Sequence, residues 1–336
     1  SQSRFVQAND ELITAYSLNF ENEIEEYLDE DTIVHIHSTY NLVNVNKLHW
    51  LKKIKGCVFT FHDQRILTGG CHATRSCDHY LKSGCSQCPI VQPLFRHKIK
   101  YNHSRLTKNI NQPSISIIAP SRWMSEEILK RGFLNDTNII YNVPDIPVKR
   151  LGRNKIREKL KLNENKIHIA FVAAKLRDTY KGYEYYEEAV NILKRLPQNR
   201  EIGFHALGQF TREKENNVNI TYHNYESNYN KLIEFLEGLD ILVIPSVADH
   251  IPNLILEAAF VGTLPLASNI NGISELQERL NLRSIKPRDS QDIASKLNQE
   301  ILSKNYLNRA ELEKESRTHF NSRIELDKLI SIYNDI

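Results

Sequence analysis

The 336-residue sequence has no run approaching the ~18 consecutive apolar residues of a membrane-spanning helix, so no segment is expected to cross a bilayer. No secretory signal is recognisable in the residues given, so the expected location is the cytoplasm. Repeats and low-complexity tracts are absent. With 40% apolar and 25% charged residues the composition is globular, which excludes wholesale disorder, collagen and a coiled-coil rod. Cysteine is scarce, five in all, and four of these crowd into residues 71–88, which suggests one local site rather than a secreted disulfide scaffold. The strand end Phe171-Val172-Ala173-Ala174 lacks a glycine-rich turn, so a dinucleotide fingerprint finds little support. The first residue is Ser1 rather than Met, and the chain is read as processed, cut back or lacking its start.

What is present is organised in two halves. Such a length exceeds one ordinary hydrophobic core, so two domains are expected. The 44 Lys and Arg nearly balance 41 Asp and Glu, but unevenly along the chain. Residues 1–31 hold Arg4 against nine acids, with amphipathic helices expected between Leu12 and Leu28. Residues 32–110 hold twelve Lys and Arg against Asp63 and Asp78. Within them, 92–110 carries Arg96, Lys98, Lys100, Arg105 and Lys108 and no acid, a patch suited to an anionic partner. Apolar runs predict strands at 32–37, 57–61, 114–119 and 138–141. Beyond the Pro-rich joint Val143–Pro147 they recur at 167–173, 201–207, 218–222, 240–244 and 263–267. Helical patterns lie at 152–161, 182–195, 228–238, 253–261 and 290–302. Strands alternating with helices predict an α/β fold of two parallel sheets, each covered by helices, in two units facing a cleft. The expected domains are 1–145, with a cysteine-rich insertion at 67–90, and 146–314. A helix over 315–336 is expected to pack back on the first.

The richest stretch is Asp240–Glu257, DILVIPSVADHIPNLILE. Ile241–Ile244 reads as a buried strand, Pro245-Ser246 ends it, and Pro252 suits the first turn of a helix. Backbone N–H groups around Pro252, Asn253 and Leu254 can hold a diphosphate. Glu257, one turn beyond Asn253, can accept the paired hydroxyls of a ribose. Asp249 would reach another polar part of the ligand, such as sugar hydroxyls. The alternative makes Asp249 a helix cap and Glu257 half of a surface ion pair. Yet Glu257 interrupts the run Leu254–Phe260, where a carboxylate needs a partner.

These residues, with Gly262-Thr263, Pro265, Asn271-Gly272-Ile273 and Glu275, resemble the nucleotide-sugar site of retaining glycosyltransferases of GT-B architecture, family 4 type. The paired acids, separated by seven residues, are Asp249 and Glu257, where the first acid is more usually Glu. Asp before a Pro-Asn pair resembles a branch associated with bacterial capsule, exopolysaccharide and colanic-acid-type synthesis. Thr60-Phe61-His62-Asp63, Thr68-Gly69-Gly70-Cys71-His72, Cys77, Gly84-Cys85, Cys88-Pro89, Ala119–Trp123 and Tyr141-Asn142 are similar to the same branch. The resemblance implies that Lys181, in a Lys-Gly pair, holds the donor diphosphate. It implies that Lys175 or Arg177 supplies a second cation, that Asp249 and the Asn271-Gly272-Ile273 loop with Glu275 hold the sugar, and that His62 contacts the sugar near the reacting carbon. It further implies a nucleotide-sugar donor, UDP- or GDP-linked, and a glycan or lipid-linked glycan acceptor. No catalytic metal is expected, since cations replace it and no clear Asp-x-Asp ligand pair stands out. Only 31 residues precede the first strand, so the first domain is expected to be truncated or reduced at its amino terminus.

Cys71, Cys77, Cys85 and Cys88 suggest a structural zinc, with two disulfides or four free thiols as alternatives. Cys57 reads as a strand-core residue. The 92–110 segment is a solvated face or a contact with an anionic membrane, at the inner face of the plasma membrane. Aromatic residues there are too few for nucleic acid to be expected. An epimerase or phosphorylase of the same fold, and a zinc-stabilised nucleic-acid-binding or scaffold protein, are the rival classes.

Overall fold

The computed structural model describes residues 25–37, 48–75, 77–134, 136–196, 201–211 and 217–336. The amphipathic helices expected from Leu12 to Leu28 fall almost wholly outside them. The chain divides into two compact units, Ser1–Tyr141 with Arg323–Ile336, and Asn142–Ser322.

The first unit holds a four-stranded parallel sheet in the order β1 (Ile33–Ile36), β2 (Gly56–Thr60), β3 (Ile115–Ala119), β4 (Thr137–Ile139). β2 is buried along its whole length, because a central parallel strand is covered on both faces. Its alternation sorts the side chains. Cys57 and Phe59, with Ile115 and Ile117 of β3, face a core shared with Trp50, Leu106 and Met124. Val58 and Ile118 face the other way, onto Ile332. Three helices follow β2 and β3: α1 (His79–Lys82), α2 (Arg96–Ile110) and α3 (Arg122–Lys130). α3 starts where Ser121 Oγ accepts the Met124 N–H at 3.0 Å, an N-cap that the sequence Pro-Ser-Arg-Trp supplies.

The second unit holds six parallel strands: β5 (Ile167–Lys175), β6 (Ile202–Gln209), β7 (Ile220–His223), β8 (Ile241–Ile244), β9 (Leu264–Ser268) and β10 (Ser284–Ile285). Their order is β10-β9-β8-β5-β6-β7, so the direction of winding reverses between β5 and β8. Such a reversal opens a crevice at the carboxyl ends of those two strands, where open parallel sheets bind ligands. Its helices are α4 (Arg153–Leu160), α5 (Tyr183–Lys194), α6 (Tyr229–Gly238), α7 (Asn253–Phe260), α8 (Asn271–Arg279), α9 (Ser290–Ser303) and α10 (Arg309–His319). The last helix, α11 (Ser322–Asp335), belongs almost entirely with the first unit.

Every strand expected from an apolar run is present, with ends moved by a residue or two. The helix expected over 315–336 is two helices, broken at Phe320-Asn321. β10 and α8 were not expected. Two residues are too short to show a period, and Asn271-Gly272 reads as a loop.

Buried polar groups knit the second sheet. Asp240, 1% exposed, accepts from Arg157 Nη2 at 2.6 Å, from the His168 N–H at 2.8 Å and from Arg153. On β5, β6 and β7 three imidazoles bond in series, His168 Nδ1 to His205 Nε2 at 2.8 Å and His205 Nδ1 to His223 Nε2 at 3.0 Å. Burial depresses all three, His205 to about 3. The unfolded chain therefore binds protons that the folded chain refuses. Stability is full above pH 6.5 and drains as pH falls from there, for His205 by about 1.4 kcal/mol per pH unit down toward 3. Melting temperature is expected to drop steadily between pH 7 and 4.5, and less steeply in His205→Gln. Equal slopes in the two proteins would place the acid lability elsewhere.

Candidate functional site

The crevice between β5 and β8 is built by two close approaches of backbone. Gly182, at φ +73°, leads into α5 so near β8 that a Cβ would lie 2.1 Å from the Pro245 carbonyl oxygen. Only glycine satisfies both demands. The Val247 N–H completes the clasp, donating to the Tyr180 carbonyl at 2.8 Å. Gly272 is hemmed in likewise, with a Cβ 2.8 Å from the His250 carbonyl oxygen. Lys181 and the loop 246–251 are thereby held against each other, with the start of α8 behind.

Lys181 Nζ donates to Asp249 Oδ2 at 2.6 Å, joining two residues 68 apart in sequence. Asp249 is fixed on every side. Ser246 Oγ donates to Oδ2 at 3.4 Å, the His250 N–H to Oδ1 at 3.0 Å, and Asn271 Nδ2 to the Asp249 carbonyl at 2.7 Å. Asn271 makes that contact from the left-handed region, φ +47°. Asp249 therefore does not cap α7, whose N-cap is Pro252, a residue with no side-chain acceptor. The first-turn amides of Asn253 and Leu254 thus carry no side-chain cap, as an anion site at a helix start requires.

Glu257 is not half of a surface ion pair. It is 6% exposed, burial raises its carboxyl, and the Tyr229 hydroxyl at the start of α6 donates to it. Tyr229 was not expected from the sequence, where its phenol lies 28 residues from Glu257 with no motif between. Asp178 was missed as well. Burial raises its carboxyl, Lys181 and Lys175 draw it back down, and Asp249 pushes it up, so it belongs to the same electrostatic group. Its Oδ1 accepts the Tyr180 N–H at 3.0 Å.

The other expected residues divide. Lys175 ends β5 and is exposed. Arg177 reaches Glu187 at 3.4 Å and lies over the Tyr183 ring, on the α5 side. Asn271, Gly272 and Ile273 form the first turn of α8 rather than a loop, and the Ile273 side chain is core. Glu275 is buried, 3.7 Å from Arg279. In the first unit, His62 follows β2 and bonds His37 at 3.0 Å, while Asp63 pairs with His72 at 2.6 Å.

Among the described residues no three His, Cys, Asp or Glu side chains are placed to hold an ion, and all five cysteines are free thiols. Cys71 Sγ is turned to the Ala73 carbonyl at 3.0 Å. Cys85 and Cys88 pack in the first unit's core, where burial raises both thiols, Cys85 to about 11. The alternative of two disulfides does not form, and the thiols are free. No helix among the described residues is long and apolar enough to cross a membrane.

Comparison with known proteins places the fold and the family. Over 317 residues the chain is 22% identical to WcaC of Escherichia coli (strain K12), a protein assigned to colanic acid biosynthesis as a glycosyl transferase, covering 90% of this chain and 75% of WcaC. An uncharacterized 42.6 kDa protein in the cps region of Klebsiella pneumoniae is 25% identical over 66% of this chain and 61% of its own length. Anabaena Alr3699/HepE, solved in complex with UDP, shares the fold at TM-score 0.66 and 15% identity, over 94% of this chain and 80% of its own. The fold is thus the GT-B pairing of two Rossmann-like domains. The model of the family described as glycosyl transferases group 1 matches residues 152–319, half of the chain and nearly all of the second unit, and the chain belongs to that family.

Proposed function

We propose that this glycosyltransferase moves a sugar from a UDP- or GDP-linked donor to a hydroxyl of a glycan or lipid-linked glycan of a bacterial surface polysaccharide, with retention of anomeric configuration. The observation that carries it is the 2.6 Å Lys181–Asp249 contact at the carboxyl ends of β5 and β8, flanked by the uncapped start of α7. A nucleoside diphosphate needs a cation and free N–H groups at one end and a hydroxyl acceptor at the other. Lys181 and the α7 amides provide the first, and Glu257, held by Tyr229, provides the second.

In this reading the donor diphosphate exchanges Lys181 from Asp249 to its own oxygens. Lys181 then offsets the charge that builds on the leaving group as the sugar–oxygen bond breaks. Asp249, released, turns its carboxylate to sugar hydroxyls, and His62 acts on the sugar near the reacting carbon. Catalysis is placement and charge stabilisation, without a carboxylate nucleophile. UDP in the HepE complex supports the uridine form of the donor. The polysaccharide assignment of WcaC supports the acceptor class. The solvent face of α2, with Lys98, Lys100, Arg105 and Lys108 opposite buried Ile99, His103 and Leu106, suits an anionic membrane surface carrying that acceptor.

Thermal melting against UDP, GDP, UDP-glucose, GDP-mannose and inorganic phosphate tests the donor site. One nucleotide at tenfold its dissociation constant should add about 1.4 kcal/mol of stability, and Glu257→Gln should lose most of it. Equal shifts with phosphate alone, or an undiminished shift in the variant, would remove the nucleotide reading. Sedimentation with anionic and neutral vesicles tests the surface, and equal binding to both would remove the membrane part.

A further inference from the structure

Three histidines gather at the carboxyl ends of β1 and β2. His35 and Ile36 of β1 pair in register with Val58 and Phe59, so residue 37 falls level with Thr60. His62 lies just past that strand. His37 Nδ1 stands 3.0 Å from His62 Nε2, with the two rings 21° from parallel. The His35 ring lies 4.0 Å from that of His37 and is itself clamped, Nε2 to Thr60 Oγ1 at 2.7 Å and Nδ1 to the Tyr333 hydroxyl at 2.5 Å. His35 thus forms a fixed floor, His37 rests on it exposed to solvent, and His62 is half-buried beside it.

A neutral imidazole has one donor nitrogen and one acceptor. A bond between two of them ties the tautomer of each ring to that of the other, and two protonated rings cannot make it at all. Among the described residues, the polar groups around the pair include His35 with its partner Tyr333, Thr60, Asp63 with its partner His72, and Arg65, which lines the same small cavity. Burial and His37 depress His62, Asp63 draws it up, and His35 is held at about 4. His35 and His62 are thus held toward the neutral form, and a neutral His62 ring gives the bond to His37 a direction.

We propose that His37 is a positioning residue for His62, its Nδ1 fixing the ring angle and tautomer that His62 presents to the sugar. The proposal rests on the transferase reading above, and its test separates the two. The nucleoside-diphosphate groups, Lys181, Glu257 and the α7 amides, all lie in the second unit. His37→Ala should therefore leave the UDP- or GDP-induced melting shift unchanged, which also reports that the variant is folded. It should lower the turnover of UDP-glucose or GDP-mannose, read as release of UDP or GDP, on the order of 10- to 100-fold. His37→Asn, whose amide stands where Nδ1 was, should recover most of the loss. Imidazole 15N shifts of His62 should show one dominant tautomer in the wild type and in His37→Asn, and a mixture in His37→Ala. Unchanged turnover in His37→Ala, no recovery in His37→Asn, or a mixed tautomer in the wild type each overturns the proposal. A wild type that responds to no nucleotide overturns the transferase reading instead, and the His62 tautomer still decides whether His37 orients it.

Discussion

Lys181→Ala should turn over the donor on the order of 10²–10³-fold more slowly than the wild type, the range seen when one preorganised charge-stabilising group is lost. Its melting temperature should hardly move. The Lys181 side chain is 36% exposed, and a pair so open to water contributes no more than about 1 kcal/mol to stability. That contrast separates the two roles of the residue. A lysine that only anchors Asp249 would cost some stability and little rate, while a phosphate ligand does the reverse. Asp249→Ala should also be slow, and Lys181→Ala/Asp249→Ala should fall short of the summed single effects, because the residues share one contact. A drop in turnover below about threefold for Lys181→Ala would end the assignment of the diphosphate to this lysine.

The second large effect is on stability. Asp240→Ala should cost the second unit about 3–5 kcal/mol, lowering its melting temperature by roughly 6–20 °C. The carboxylate is nearly inaccessible and is shared by Arg153, Arg157 and the His168 N–H. Arg309 stands in the same field, its guanidinium depressed by burial to about 10, and donates to the carbonyls of Glu237, Leu239 and Val261. Removing this acid leaves Arg153 and Arg157 without its charge in the protein interior, with Arg309 close by. Asp240→Asn keeps the shape but not the charge and should lie between. Calorimetry with and without nucleotide reads both numbers, and a loss within about 1 kcal/mol would mean that water replaces the carboxylate.

Asp240 also marks how far the sequence could be read. It opens the stretch DILVIPSVADHIPNLILE, and the strand after it was legible because Ile241–Ile244 is buried on both faces. Its own partners were not. Arg153 and Arg157 stand more than 80 residues away, and no local pattern announces them. The same holds in the site. Asp249 and Glu257 were visible because their spacing lies within one loop and one helix turn. Tyr229 and Asp178 were invisible because folding, not spacing, brings them there. The cysteines are a different case. A short spacing suggested one local site, and Cys77, Cys85 and Cys88 do lie within one another's fields, but Cys85 and Cys88 pack in an apolar core and Cys71 turns to a carbonyl. In 92–110 the charge was read and the period passed over, although Ile99, His103, Leu106 and Ile110 recur every three or four residues along α2.

The return of residues 323–336 to the first unit bears on the order of events during synthesis. Ile332 covers Val58 and Ile118, Tyr333 clamps His35, and Gly56 has no side chain because Ile336 lies against it. A ribosome delivers β1 to β4 long before it delivers that helix. The contacts that Ile332 makes with Val58 and Ile118 must wait while the whole of the second unit emerges. The second unit, whose residues are contiguous, can close as soon as Ser322 has left the exit tunnel. The second unit can thus be complete before the first, whose apolar contacts at Val58 and Ile118 are finished only by the last helix.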